Sequence, residues 1–73
     1  MLLSECECGD VVKITNIHLK GDVFKKMLDM GFIPGTTIEV RKHATFLNDP
    51  IQIKVFDYLV AIRTQEAEGI EVK

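Results

Sequence analysis

The chain has no tryptophan, one tyrosine and four phenylalanines in 73 residues, and that scarcity already excludes some functions. Single-strand nucleic-acid binders stack bases on aromatic side chains, and domains that read proline-rich peptides line a groove with them. Here Phe24, Phe32, Phe46, Phe56 and Tyr58 do not gather on one pair of loops. Concentrated positive charge is missing as well. Nine Lys and Arg are scattered from Lys13 to Lys73 against eleven Asp and Glu, for a net charge of −2, whereas a nucleic-acid binder collects its basic residues on one face. No apolar run approaches the roughly 18 to 20 residues that cross a bilayer. Met1-Leu2-Leu3-Ser4-Glu5 lacks the basic start and sustained apolar stretch of a signal peptide, so a cytoplasmic location is expected. The chain also carries no Gly-rich phosphate loop ending in Lys-Ser/Thr, no nucleophile elbow and no His-Glu-x-x-His pattern. Asp29, Asp49 and Asp57 fall at turns and helix ends, where acids have structural reasons to be. An enzyme is not expected.

What the chain does have is one block in which three structural decisions follow one another: Met27-Leu28-Asp29-Met30-Gly31-Phe32-Ile33-Pro34-Gly35, then the alternating Thr36-Thr37-Ile38-Glu39-Val40-Arg41. Gly31 follows a helix-period apolar run, where a left-handed C-cap costs least in a residue without Cβ. Pro34-Gly35 has the chemistry of a type II turn. The block therefore ends a helix, turns and begins a strand.

Around it the elements follow by pattern. Val11 to Ile17 is β-branched and follows the turn pair Gly9-Asp10, which predicts the first strand. Leu2 and Leu3 read as a core plug at the barrel end. Asp22 is placed to N-cap a two-turn helix over residues 23–30, with Val23, Phe24, Met27, Leu28 and Met30 on one side. Ile38 and Val40 point inward from the next strand, residues 42–50 read as a loop, and Ile51, Ile53 and Val55 alternate in the strand after it. Phe56-Asp57-Tyr58 turns the chain into Leu59 to Arg63 as a hairpin. Thr64 to Gly69 suits a single helical turn capped by Thr64, and Ile70-Glu71-Val72 a last strand. A single domain of this size buries only about 60% of the surface its unfolded chain exposes. About five short strands with one helix after the first predict a mainly β fold, a small, partly open antiparallel barrel spanning residues 1–73.

In this order the residues resemble the FeoA family, the small protein of bacterial ferrous-iron uptake with an SH3-like barrel. The resemblance is carried by Leu3, Gly9, the block from Met27 to Gly35, Asp49-Pro50-Ile51, Ala61-Ile62-Arg63, and Glu66-Ala67 with Ile70 and Val72. Two features depart from the family pattern. Asp57 stands at the hairpin tip where Gly is frequent, which leaves the turn type open, and Cys6 and Cys8 stand where the family has an apolar and a variable residue. The resemblance implies a non-enzymatic accessory that binds the cytoplasmic side of the FeoB-type membrane GTPase transporter, with no resident cofactor. The implied docking segment is Met27, Leu28, Met30, Gly31, Phe32, Pro34 and Gly35. Iron-dependent repressors end in a similar SH3-like domain, so an orphaned repressor-type domain is an alternative, although the repressors' helix-turn-helix and metal-binding regions are absent from these 73 residues.

Met27, Met30 and Phe32 read two ways, as core filling or as a wide apolar face for a partner. Phe46-Leu47, loop-borne and apolar, are a second partner candidate. Cys6-Glu7-Cys8 with His18 and His43 offers thiolate and imidazole to ferrous iron or zinc. Cys-x-Cys chelates less readily than Cys-x-x-Cys, and no second Cys pair completes four ligands. The plainer reading makes Cys6 a buried small hydrophobe, Cys8 an exposed thiol, and both histidines solvated or capping groups. An open strand edge at the barrel seam also leaves a homodimer as a possibility to test.

Overall fold

The computed structural model describes residues 1–43 and 49–73. A 3-10 turn over Leu3–Glu5 leads into β1 (Val11–Ile17), then α1 (Gly21–Asp29), β2 (Thr37–His43), β3 (Ile51–Val55), β4 (Tyr58–Ile62), α2 (Thr64–Ala67) and β5 (Ile70–Val72). The strands form one antiparallel sheet in the order β4-β3-β2-β1-β5, with β4 and β5 at the edges. This is the open, five-stranded barrel with a helix after its first strand that the pattern predicts.

Inward residues follow the period-2 rule. Val12 and Ile14 of β1, Ile38 and Val40 of β2, and Ile51, Ile53 and Val55 of β3 are all buried. Leu3 plugs the barrel end, fully buried. The edge of β5 is covered by the N-terminus: Leu2 bridges Glu71, and the Val72 N–H donates to the Met1 carbonyl at 2.7 Å.

Four boundaries differ from the sequence expectation. β2 runs on through Lys42 and His43, because a register shift between Val40 and Lys42 breaks the alternation without ending the pairing, and His43 still faces Ile51. α1 begins at Gly21, whose φ of +66° is a left-handed conformation that glycine adopts at the helix entrance. Asp22 then sits in the first turn instead of at the cap, where Lys20 stands without a side-chain bond. β4 begins at Tyr58 and ends at Ile62, one residue earlier at each end than the pattern suggests. At α2 the cap is Arg63, not Thr64: Glu66 Oε1 accepts from the Arg63 N–H at 2.9 Å, and Asp49 Oδ1 accepts from the Thr64 N–H at 2.9 Å. Asp49 of the Asp-Pro-Ile motif thus helps start α2 across 15 residues of sequence.

The largest correction concerns the apolar side of α1. Met27 is fully buried and Met30 partly so, but Val23, Phe24 and Leu28 remain 38%, 36% and 36% exposed. Phe24 and Leu28 lie roughly 90° to 130° round the helix from the Met27–Met30 stripe, at 100° per residue. Those two turn away from the barrel, whereas Val23 shares the stripe's direction but sits at the start of the helix and stays exposed. Phe46 and Leu47 lie outside the described residues.

Candidate functional site

The helix-stop-turn block folds as its sequence dictates. Gly31 takes φ +91°, its N–H donates to the Leu28 carbonyl at 3.0 Å, and the Phe32 N–H donates to the Met27 carbonyl at 2.9 Å. This pair of bonds is a Schellman motif, and its hydrophobic contact is supplied by Met27 and Phe32, both fully buried. Four residues on, the Thr36 N–H donates to the Ile33 carbonyl at 2.9 Å around Pro34 and Gly35, with Gly35 at φ +99°, the geometry of a type II turn. The Gly35 N–H then donates to the Ile14 carbonyl at 2.7 Å, which fastens the turn to β1.

The β3–β4 hairpin closes over the same block. Tyr58 donates its hydroxyl to the Met30 carbonyl at 2.7 Å, satisfying an acceptor that the end of a helix leaves free. A Cβ on Gly31 would lie 2.9 Å from that hydroxyl and 3.0 Å from the Phe56 ring, so glycine is required here for space as well as for φ. Val55 faces Tyr58, leaving a two-residue turn of Phe56 and Asp57. Phe56, not Asp57, carries the positive φ, +55°. Positive φ at the first turn position alone fits a type II′ hairpin, and it is strained in a residue as bulky as Phe. At the other end Lys26 Nζ meets Glu66 Oε2 at 3.2 Å. These ties stretch α1 between α2 and the hairpin.

The segment therefore divides into two sets of residues. Met27 and Phe32 are core, and their side chains present no surface. Leu28, Ile33, Pro34 and Gly35 are exposed, with Ile33 at 49%, while Met30 and Gly31 are half-buried. The docking residues expected from the sequence omit Phe24 and Ile33, although Ile33 lies within the block and Phe24 on the helix leading into it.

The cysteine and histidine candidates separate. Cys6, Cys8 and His43 line one open depression with Ser4 and Glu7, whereas His18 sits elsewhere, its Nε2 2.7 Å from Glu71 Oε1. Cys6 is buried, its thiol directed to the Leu2 carbonyl at 3.8 Å. Burial, and then the carboxylates of Asp10 and Glu5, push that thiol's pKa up, away from the thiolate that binds metal. His43 Nε2 donates to the Cys6 carbonyl at 3.2 Å. Among the described residues no three His, Cys, Asp or Glu side chains are grouped to hold a metal ion. The core of these residues also contains no buried polar or charged side chain, and no helix among them is long and apolar enough to cross a membrane.

Comparison with known proteins fits this geometry. The chain is 40% identical over all its 73 residues to a Porphyromonas gingivalis protein, the Fe(2+) transport protein A/Fe(2+) transporter FeoB fusion protein, and spans 8% of that protein's length. It is 36% identical to the solution structure of iron(II) transport protein A from Clostridium thermocellum, with a TM-score of 0.93, covering all of this chain and 44% of that one. It is 35% identical to the FeoA protein of Chlorobium tepidum, with a TM-score of 0.91, over 99% of this chain and 68% of that one. Two structures at 20% identity share the fold alone, each with a TM-score of 0.86. One is a zinc-complexed FeoA of Stenotrophomonas maltophilia described as a procaryotic SH3 domain protein, covering 100% of this chain and 89% of that one. The other is the T. acidophilum IdeR, at 99% and 32%. The family described as FeoA domain matches residues 1–73, the entire chain. An SH3-like barrel with a Schellman-capped helix and a Pro-Gly turn, this chain belongs to the FeoA domain family.

Proposed function

We propose that this domain is a cytoplasmic accessory of ferrous-iron uptake that docks on a FeoB-type GTPase transporter and regulates it. The observation that carries the reading is the fusion: in P. gingivalis a protein bearing a 40% identical segment is named as FeoA and FeoB in one chain. A covalent link holds two parts at an effective concentration in the millimolar range for short linkers. Docking itself needs a surface with affinity for the partner, and α1 with its following turn offers one. Phe24, Leu28, Ile33 and Pro34 are exposed there, while Met27 and Phe32 beneath them fix the shape. Regulation requires that the domain bind two transporter states with different affinity.

The test is Leu28→Asp. Leu28 is 36% exposed, so circular dichroism is expected to match wild type while complementation of ferrous-iron uptake in a strain lacking the domain is lost. Full complementation by a folded Leu28→Asp variant, and by Ile33→Asp beside it, would remove this surface from the reading.

A further inference from the structure

The outer side of the sheet carries three of the most exposed large apolar side chains outside the helix: Phe56 at 65%, Val11 at 63% and Leu59 at 51%. Strand register puts two of them in one row. Val11 faces Glu39, Glu39 faces Lys54 and Lys54 faces Leu59, so the outer surface of β1-β2-β3-β4 reads apolar, acid, base, apolar. Directly opposed residues share a face. Beside this row a groove runs between Val11 and Phe56 over Thr36 and Thr37.

That row is its own complement. A two-fold axis parallel to the strands, between two such faces and centred between β2 and β3, lays Val11 over Leu59 of the other copy and Glu39 over its Lys54. Phe56 continues the register beyond Val55, which faces Ile38, so the same operation seats each Phe56 over the other copy's Thr37, in the groove. A purely apolar partner would desolvate Glu39 and Lys54 and leave them only each other across the strand pair, whereas a second copy sets an opposite charge over each. Lys54 has no ion pair among the described residues, and Arg41 approaches Glu39 only at 3.9 Å. We infer that this sheet face is an isologous interface with a second copy of this chain, anchored by Phe56. The strained Phe56 fits that role: glycine would occupy φ +55° without strain, and phenylalanine there supplies a protruding anchor. This pairing uses the outer face of the sheet and not the exposed residues of α1, although Gly35 of the turn borders the same groove.

Sedimentation velocity from about 10 μM to about 1 mM tests it on the full chain. Wild type is expected to shift from monomer to dimer across that range. Phe56→Gly, which the backbone favours, is expected to remain folded and weaken dimerisation roughly tenfold or more. Glu39→Lys and Lys54→Glu are each expected to be monomeric, and an equimolar mixture of these two variants is expected to dimerise again, because each then faces opposite charge. A wild type that stays monomeric throughout, a dimer indifferent to Phe56→Gly, or a mixture that fails to pair would each overturn the inference.

Discussion

Replacing Gly31 with alanine separates two costs that the fold combines at one residue. Alanine at positive φ costs about 1–2 kcal/mol, offset by about 0.5–1 kcal/mol because the unfolded chain loses freedom. Gly35 provides the reference: it has φ +99° and nothing within 4 Å of an added Cβ, so Gly35→Ala should lose only this difference, about 1 kcal/mol. At Gly31 the Cβ also meets the Tyr58 hydroxyl at 2.9 Å and the Phe56 ring at 3.0 Å. The hairpin must move, and the Tyr58–Met30 bond, worth about 0.5–1.5 kcal/mol, goes with it. Gly31→Ala should therefore lose about 2–3 kcal/mol in total. In a domain this small 1 kcal/mol moves Tm by about 4–8 °C, so thermal and urea unfolding resolve the two variants. Tyr58→Phe should cost less in the Gly31→Ala background than in wild type, since the bond is already strained or lost. If Gly31→Ala and Gly35→Ala agreed within about 0.5 kcal/mol, the hairpin would not clamp the helix end as described.

Other outcomes follow from single contacts. Met27→Ala, at a fully buried site, should lose about 2–5 kcal/mol by urea denaturation. Leu28→Ala, 36% exposed, should lose far less while weakening transporter binding. Alkylation followed by mass spectrometry should modify Cys8 quickly and Cys6 only on unfolding, because Cys6 is buried and its thiol pKa is raised. The hydrogen bond from His18 holds the Glu71 carboxyl below its ordinary 4.5. Its lowered folded pKa means the contribution is present above the unfolded value and lost as pH falls through the folded one. NMR titration should place the Glu71 midpoint below 4.5, and His18→Ala should raise it.

The strands were legible because inward residues alternate without exception along β3 and in β2 up to Val40, and Gly31 and Pro34-Gly35 were legible because each does a job that few residues can. The sequence hid what depends on distant partners. Lys42 and His43 pair beyond a bulge that erases alternation, and α2 takes a bond from Asp49 that no local pattern announces. The helix misled for a different reason: periodicity records which residues share a side, while packing against the barrel decides which of them are covered. The proposed docking segment was thus visible as a segment, but its division into buried Met27 and Phe32 and exposed Leu28 required packing. Phe56 carried no signal as a left-handed residue, since Asp57 beside it is the better local candidate.

The most direct test of the docking claim is an amide NMR titration of this domain with the cytoplasmic GTPase domain of its cognate transporter, with and without a GTP analogue. Shifts centred on residues 23–35 are expected, different in extent between the two nucleotide states. Binding that moved other amides and left residues 23–35 unchanged would contradict that claim.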